Sequence, residues 1–342
     1  MNKLVGNKEV AETLRRFVAT GRVPNALLFT GAEGVGKKQF AIELARCLVC
    51  ANTNAHGACG QCAVCHRVGE FVNPIFEKGD ESDFVFFSQH PDVGIIVPFR
   101  RNLRIGAVRA LDREAHYRPF EAAARVFIVD DADKMNDAAS NALLKTLEEP
   151  PATSHIILIA ARADTLLPTI RSRCQTIRFA PVPVDEIERH LIDSCDFSPE
   201  DAALAARVSG GSIGRAIEIV PASFRTQRSA MLGVLKAAAV DNKRELLAAS
   251  EEMADAKNKD EYEEKLGVLQ TLIHDVWLLV NAADVEILNS EIEAELIQLS
   301  RQVSSPTLAR WLGEIEVMSE NFIVNINRKI ATDSLFVEMA GR

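Results

Sequence analysis

The chain has 342 residues, of which 47% are hydrophobic and 25% charged, and its formal net charge is −9. This length exceeds one typical hydrophobic core and suits two or three domains, and the composition is that of an ordinary soluble globular protein. The acidic balance excludes DNA binding through an overall positive field, so any contact with DNA would need a local basic patch.

The N-terminal segment does not have the pattern expected of a signal peptide. It reads MNKLVGNKEVAETL and lacks the apolar core of a signal peptide, and no apolar run in the chain reaches the length of a membrane span. We therefore expect a cytoplasmic protein without membrane contact. In that reducing compartment the seven cysteines favour metal binding or packing over a disulfide framework.

A glycine-rich loop lies between an apolar strand at 25–30 and a helix with apolar residues at helical spacing. Residues 31–37 read GAEGVGK and match the phosphate-loop pattern G-x-x-x-x-G-K. In such a loop, glycine backbone N–H groups and the helix N-terminus hold phosphates, and the lysine reaches the β- and γ-phosphates. The predicted nucleotide-binding residues here are Gly31, Gly34, Gly36 and Lys37.

The position after this loop departs from the pattern. A serine or threonine is expected there because its hydroxyl binds Mg²⁺, but this chain has Lys38. A lysine adds a second cation and no metal ligand, which is compatible with phosphate binding and unfavourable for metal-assisted hydrolysis. The alternative is that Lys38 points to solvent and water fills the coordination position.

Four cysteines follow the helix within 16 residues. Cys50, Cys59, Cys62 and Cys65 have the number and spacing that suit a tetrahedral structural Zn²⁺ site, which leaves no open position for catalysis. The alternatives are an iron–sulfur cluster, whose typical run has another cysteine shortly after the third, and free thiols.

Six arginines fall within residues 100–118, which follow a predicted strand at 93–98 and include a predicted helix at 105–116. Phosphate contacts need only suitably placed positive charge, so this stretch is a candidate DNA surface, and a solvated helix face is the alternative. The candidate DNA residues are Arg100, Arg101, Arg104 and Arg109. Residues 69–88 are longer than a compact connection between two elements, and we interpret them as an insertion.

The apolar run at 125–129 is followed by Asp130 and Asp131. In phosphate-loop ATPases the first acid orients Mg²⁺ and the second position, usually glutamate, activates the attacking water. Asp131 is one methylene shorter than glutamate, which makes its reach to a water uncertain. The alternative is that these acids only cap the next helix.

Further strands are predicted at 155–160 and 175–180, with a helix at 136–149 that Pro150 ends. Alternating strands and helices with continuous apolar runs indicate a parallel sheet covered on both faces. From 184 onward the pattern is helical, with a small unit at 184–220 and a bundle of longer helices from about 223.

Five segments together resemble the clamp-loader branch of the AAA+ family. The motifs are VGN at 5–7, NALLKTLEEPP at 141–151, SRC at 172–174, GSIGR at 211–215 and NINRK at 325–329. The resemblance covers nearly the whole chain, and the four-cysteine pattern also matches the zinc module of bacterial clamp loaders.

The resemblance implies a domain organisation. It predicts an AAA+ phosphate-loop core over 1–182 with a zinc module at about 50–66, a helical lid over 183–222, and a helical collar for oligomerisation over 223–342. It further implies that Arg173 acts as an arginine finger in a neighbouring subunit's ATP site, and that Arg215 is the lid contact to this chain's own nucleotide. A surface arginine is the alternative for both residues.

Three departures from the ATP-hydrolysing members coincide in one site: Lys38, Asp131, and the alanine pair Ala160-Ala161 where polar sensor residues are expected. They favour the family's stator subunit, which hydrolyses little or no ATP, and leave ATP and Mg²⁺ binding open. The implied partners are the gamma/tau and delta subunits of DNA polymerase III, the sliding clamp, and primer-template DNA. The alternatives are a gamma/tau-like ATPase motor and a zinc-stabilised DNA-binding module with an inactive phosphate loop.

Overall fold

A six-stranded sheet forms the centre of the first part of the chain. The computed structural model describes residues 4–54, 57–71, 83–99, 102–254, 261–283, 286–321 and 327–340. The strands are β1 (Ala26–Thr30), β2 (Phe86–Phe87), β3 (Val93–Ile96), β4 (Arg125–Val129), β5 (Ser154–Ala160) and β6 (Gln175–Arg178).

The sheet has the order β2-β3-β4-β5-β1-β6, and all its pairs are parallel except β2 with β3. Strand β5 therefore lies between β1, which leads into the glycine loop, and β4, which ends at Asp130. Because parallel strands end at the same edge, their C-terminal residues meet there, and open α/β sheets bind ligands at this edge. Thr30 and Ala160 are register partners at that edge.

The helices of this part of the chain cover both faces of the sheet or follow it in sequence. They are α1 (Lys8–Thr20), α2 (Lys37–Val49), α3 (Ala63–Gly69), α4 (Ile105–Ala115), α5 (Asp137–Glu148), α6 (Pro168–Arg171), α7 (Val184–Cys195), α8 (Pro199–Val208) and α9 (Ile213–Glu218). Polar side chains cap the N-termini of α5 and α8. The Ser198 hydroxyl accepts from the Asp201 N–H at 3.2 Å to begin α8, and the Asn136 side chain accepts from the Ala139 N–H at 2.9 Å to begin α5.

Alternate residues of each central strand enter two different cores. In β1, Leu27 and Phe29 pack with α1 and α2, whereas Ala26 and Leu28 pack with α4 and α5 on the opposite face. This arrangement explains why the sequence shows a continuous apolar run rather than an alternating one, since both faces of the strand are covered.

The second part of the chain is helical throughout its described residues. Its helices are α10 (Pro221–Ala239), α11 (Lys243–Ala254), α12 (Tyr262–Val280), α13 (Glu293–Ser300), α14 (Ser305–Asn321) and α15 (Arg328–Ala340). They share one apolar core that includes the fully buried Trp311 and Phe336. Inside it, the hydroxyls of Tyr262 and Thr332 lie 2.5 Å apart and join α12 to α15.

The predicted fold class is confirmed in its architecture: an α/β core with a mainly parallel sheet, a four-cysteine cluster, and a mostly helical remainder. The chain forms two compact units, Met1–Glu218 and Ile219–Arg342. The finer separation of a lid from the core at residue 183 stays a prediction. No helix among the described residues is long and apolar enough to cross a membrane.

The stretch interpreted as an insertion ends in a short strand that the sequence analysis missed. Phe86–Phe87 forms β2 and pairs antiparallel with β3 at the edge of the sheet. Residues 72–82 of that stretch lie outside the described residues.

A buried ion pair holds the segment before β4 against the turn before β3. Asp92 and Arg125 are both fully buried, and Asp92 Oδ1 lies 3.6 Å from Arg125 Nε. The Asp92 carboxylate also accepts from the backbone N–H groups of Phe120, Glu121 and Ala122 at 2.7, 2.9 and 3.0 Å. The Asp92 side chain thus satisfies three backbone donors and lies beside a guanidinium whose hydrogen bonds go to Glu114 and to the Pro91 carbonyl.

Replacing Asp92 with alanine is expected to lower the free energy of unfolding by about 3–5 kcal/mol, because it leaves three backbone N–H groups without their acceptor and removes one of the two carboxylates beside the buried Arg125 guanidinium. Urea denaturation of the full chain followed by circular dichroism measures this change. The control is Asp185→Ala, which removes an exposed ion pair with Arg189 and should cost about 0.5 kcal/mol or less. Equal effects of the two substitutions would contradict the role of Asp92.

Candidate nucleotide and zinc sites

The phosphate-loop residues have the backbone geometry that their glycines allow. Gly31 and Gly34 have φ values of 148° and 73°, conformations that side-chain-bearing residues rarely adopt. A Cβ on Gly31 would lie 2.5 Å from the carbonyl oxygen of Phe179, so no larger residue fits there without movement. The loop lies between β1 and α2 as predicted.

The Lys37 ammonium is held by the loop itself. Its Nζ donates to the carbonyl oxygens of Gly31 at 2.5 Å and Ala32 at 2.7 Å. Burial lowers the pKa of Lys37 below the ordinary lysine value, and the carboxylates of Asp133 and Glu33 oppose that shift. A phosphate entering the loop would compete with the two carbonyls for this buried cation.

Lys38 is paired with the acidic strand end. Its Nζ lies 3.0 Å from Asp130 Oδ2, and both side chains are largely buried, with exposed fractions of 33% and 19%. The residue that replaces the metal-binding hydroxyl therefore contacts the carboxylate expected to orient the metal.

Asp131 is paired as well. It adopts a left-handed conformation with φ 48° before a turn of 3₁₀ helix, and its carboxylate accepts from Lys134 Nζ at 2.7 Å. It forms no side-chain cap for that turn. Both carboxylates of the acidic strand end thus contact ammonium groups of this chain.

Asp133 is a structural residue of the site that the sequence analysis missed. Its carboxylate accepts from the backbone N–H groups of Ala161 and Arg162 at 3.4 and 3.3 Å. The turn after β4 is thereby joined to the end of β5, where Ala160 is fully buried. The signal was present in the run Asp-Asp-Ala-Asp, whose third acid we did not consider.

Helix α9 and the turn before it close over the phosphate loop. The Gly214 N–H donates to the Gly34 carbonyl at 2.9 Å, and a Cβ on Gly34 would lie 2.1 Å from the hydroxyl oxygen of Ser212. The Ser212 hydroxyl in turn accepts from the Arg215 N–H at 3.2 Å. The predicted lid motif is therefore in direct contact with the predicted phosphate cradle.

A cleft of about 1210 Å³ extends from this contact. Phosphate-loop residues, both acids of the strand end and Arg215 line it, and the apolar side of the wall includes Leu4, Val5 and Ile213. The Asn7 side chain fixes the N-terminal segment, since it accepts from the Ala180 N–H at 2.8 Å and donates to the Ala180 carbonyl at 3.1 Å. All of the residues predicted to bind nucleotide except Gly31 thus line one cleft.

The four cysteines predicted to bind zinc converge. Their sulfur atoms all lie within 4.8 Å of one another. The Cys50–Cys59, Cys50–Cys62 and Cys59–Cys65 sulfur pairs are 3.7, 4.0 and 3.8 Å apart. Four sulfurs at about 2.3 Å from a tetrahedral Zn²⁺ would be about 3.8 Å apart, so the cluster fits this ion.

The four-cysteine module is attached to the helix that begins at the phosphate loop. Cys50 caps the C-terminus of α2, and Arg46 in the last turn donates through Nε to the Cys65 carbonyl at 3.0 Å. A fifth thiol, Cys47, packs beneath the module and accepts from the Ala58 N–H at 3.2 Å. Burial raises the pKa of Cys47 to about 11, as expected of a packing residue rather than a ligand.

Arg173 lies on the surface after α6 and is held by an acidic neighbour. Its guanidinium pairs with Glu148 at 2.7 Å and donates to the Thr169 carbonyl at 3.0 Å. The side chain is 35% exposed. The arginine is therefore directed by contacts within its own chain while remaining accessible to another.

Two of the four candidate DNA arginines, Arg104 and Arg109, lie among the described residues. Arg104 occupies the N-cap position of α4 without a capping hydrogen bond from its side chain, and it stacks on the Phe99 ring with 4.3 Å between the guanidinium carbon and the ring centroid. Arg109 is exposed further along the helix, while Arg100 and Arg101 lie outside the described residues. Contact with DNA stays a prediction.

The chain is similar to subunits of DNA polymerase III. A family model described as "DNA polymerase III, delta subunit" matches residues 6–183, just over half of the chain. DNA polymerase III subunit delta' of Escherichia coli K12 is 28% identical over 331 residues, which cover 96% of this chain and 92% of that protein. Subunit delta' of Bacillus subtilis is 32% identical over 219 residues, which cover 64% of this chain and 60% of that protein.

Gamma/tau subunits of DNA polymerase III also match, over less of their own length. DNA polymerase III subunit gamma/tau of Mycobacterium tuberculosis is 30% identical over 266 residues, which cover 74% of this chain and 43% of that protein. Among solved structures, a DNA polymerase III gamma subunit-related protein of Thermotoga maritima covers 97% of this chain and is itself covered to 99%, at 18% identity and a TM-score of 0.41.

Proposed function

Because the chain belongs to the DNA polymerase III delta subunit family, in its delta-prime clamp-loader branch, we propose that it is the stator of a clamp loader. A stator hydrolyses little or no ATP itself. It helps to load the sliding clamp onto primed DNA and supplies an arginine to the ATP site of a neighbouring subunit. The observation that carries this proposal is the ion pair between Lys38 and Asp130.

That ion pair bears directly on hydrolysis. Phosphate-loop ATPases need a metal ion to neutralise charge on the transferred phosphoryl group and a residue to orient the attacking water. Here the carboxylate of Asp130 is bound to an ammonium, and the carboxylate of Asp131 is bound to Lys134. Ala160 and Ala161 offer no polar side chain at the end of the intervening strand. These features support a site that retains phosphate-binding groups and lacks a hydrolytic apparatus.

Arg173 is the residue with which such a subunit would contribute to ATP hydrolysis at a neighbouring subunit's site. Its guanidinium is exposed and carries a planar set of donors that matches phosphate oxygens. An arginine can contact a nucleotide in this chain's own cleft only if its side chain lines the cleft. Arg173 is not among the residues that line it. Action on a neighbouring subunit therefore accounts for its exposure better than action in its own site.

The four-cysteine module is proposed to hold one structural Zn²⁺ ion through Cys50, Cys59, Cys62 and Cys65. When bound, the ion would cross-link the turns of the module and leave no coordination position for a substrate. The attachment through Arg46 would then stabilise the C-terminal end of α2.

The proposed partners are the gamma/tau and delta subunits of the clamp loader, the sliding clamp and primer-template DNA, in the cytoplasm. Arg104 and Arg109 are the described candidates for DNA contact. Such contacts would add affinity without base specificity, because they would be made to phosphates.

The gamma/tau-like motor is the second candidate, favoured by the match to gamma/tau relatives. ATP hydrolysis by the isolated chain separates the two. We expect turnover with Mg²⁺ to stay at the level of the Lys37→Ala variant, which lacks the loop cation. Turnover well above that variant would contradict the stator proposal. Salt-dependent DNA binding by the isolated chain would instead favour a DNA-binding module.

A further inference from the structure

Magnesium, which phosphate-loop nucleotide sites ordinarily use, does not fit the residues of this cleft. In such sites the metal is held between the hydroxyl after the loop lysine and the acid that ends the neighbouring strand. Here those two positions are Lys38 and Asp130, and their side chains contact each other at 3.0 Å. An ammonium has no lone pair to offer a metal.

The same contact places a positive charge where the motif expects a metal ion. Mg²⁺ requires oxygen ligands at about 2.0–2.1 Å in near-octahedral geometry. To bind at Asp130 it would have to displace Lys38 from the carboxylate while remaining close to the displaced cation. Two features therefore disfavour Mg²⁺ here. Lys38 replaces the hydroxyl ligand, and its ammonium neutralises the Asp130 carboxylate, which is the other ligand.

The remaining groups of the cleft suit an anion that brings no metal. The Lys38 ammonium has three donors, of which Asp130 takes one, so two remain for phosphate oxygens. Lys37 is 6% exposed and donates to the loop carbonyls of Gly31 and Ala32, which a phosphate can replace. Arg215 lines the cleft as a further cation.

We propose that this cleft binds a nucleoside di- or triphosphate in its metal-free form, with the Lys38 ammonium in the position of the magnesium ion. The apolar residues Leu4, Val5 and Ile213 form the wall available to the base. Bound nucleotide then has a structural role, because the site holds the polyphosphate without the cation that hydrolysis requires.

This inference does not depend on the arginine finger. A chain whose Arg173 has no effect on its neighbours can still bind metal-free nucleotide, and a chain that binds no nucleotide can still supply Arg173. The two proposals therefore fail separately.

The test is calorimetric titration of ADP and ATP into the full chain, once in excess EDTA and once in excess Mg²⁺. For the wild type we expect Mg²⁺ to leave the dissociation constant unchanged or to raise it. For Lys38→Thr, which restores a hydroxyl and frees Asp130, we expect Mg²⁺ to lower the dissociation constant at least about tenfold, which corresponds to about 1.4 kcal/mol.

Three further variants complete the design. Lys38→Met removes the cation without adding a ligand, so it should weaken metal-free binding and gain nothing from Mg²⁺. Lys37→Ala should abolish binding in both buffers. Lys145→Thr, a change of the same type at an exposed position of α5, should behave as the wild type. Thermal unfolding of each variant verifies that it is folded.

Two results would overturn the proposal. One is a wild-type dissociation constant that Mg²⁺ lowers tenfold or more, and the other is the absence of nucleotide binding by the wild type in both buffers. A Lys38→Thr variant that is folded and still indifferent to Mg²⁺ would show that Lys38 is not the cause.

Discussion

Replacing Arg173 with alanine is expected to slow ATP hydrolysis at the neighbouring subunit's site by about 10³-fold or more, the usual contribution of an arginine finger. The effect arises in another subunit, so it is measured in a reconstituted clamp loader rather than in the isolated chain. Single-turnover hydrolysis is the suitable measurement, with every other ATP site in the assembly inactivated by mutation.

The expected size of this effect follows from the chemistry of the guanidinium. Charge develops on the oxygens of the transferred phosphoryl group, and a planar cation that donates two hydrogen bonds stabilises it strongly in a water-poor interface. Glu148 holds the guanidinium at 2.7 Å in this chain, so the arginine must leave or share that partner when it meets a phosphate.

Controls around Arg173 separate this role from a general loss of charge. Arg171→Ala removes an exposed arginine two residues away and should leave the rate unchanged. Arg173→Lys keeps the charge without the planar donors and should recover only part of the rate. Glu148→Gln should maintain or raise the rate, because it weakens the competing contact. If Arg173→Ala and Arg171→Ala behave alike, the arginine-finger proposal is wrong.

Replacing Cys62 with serine is expected to remove the zinc ion and to unfold the four-cysteine module. Structural zinc sites bind with about 10–16 kcal/mol in isolated zinc-finger peptides, and that binding energy is folding energy. Metal analysis of the purified chain should give about one zinc ion for the wild type and close to none for Cys62→Ser. The midpoint of thermal unfolding should fall as well, since Arg46 loses the Cys65 carbonyl that it binds.

Two other cysteines serve as controls for this experiment. Cys195→Ser in α7 and Cys47→Ser in α2 should both retain the metal, because neither belongs to the converging cluster. Visible absorption and iron content in the wild type would indicate an iron–sulfur cluster instead. A wild-type chain without bound metal would contradict both assignments.

Much of the fold was predictable because its strands are buried on both faces. The runs that form β1, β4 and β5 are continuous and apolar, and their predicted bounds differ from the observed ones by a single residue at most. Strand β2 was not predictable in the same way, since two residues at a sheet edge carry no periodicity.

The residues of the two candidate sites were predictable from the sequence, but most contacts between their side chains were not. Spacing alone identified the four cysteines, because ligands to one metal must be close in space and here are close in sequence. Lys38 and Asp130 are remote in sequence, and only the position of β5 between β1 and β4 brings them to one edge. The pairing of Arg173 with Glu148 likewise depends on how α5 and α6 pack, which no local pattern encodes.

Helix α2 connects the two candidate sites described above, since it begins at the phosphate loop and ends beside Cys50 of the four-cysteine cluster. Its 13 residues give it a length of about 20 Å. A paramagnetic ion such as Co²⁺ placed in the cysteine cluster would therefore lie at a fixed distance from the phosphorus nuclei of a nucleotide in the loop. The paramagnetic relaxation rate of those nuclei would depend on their distance from the ion. It would therefore report the position of the nucleotide without any attached label.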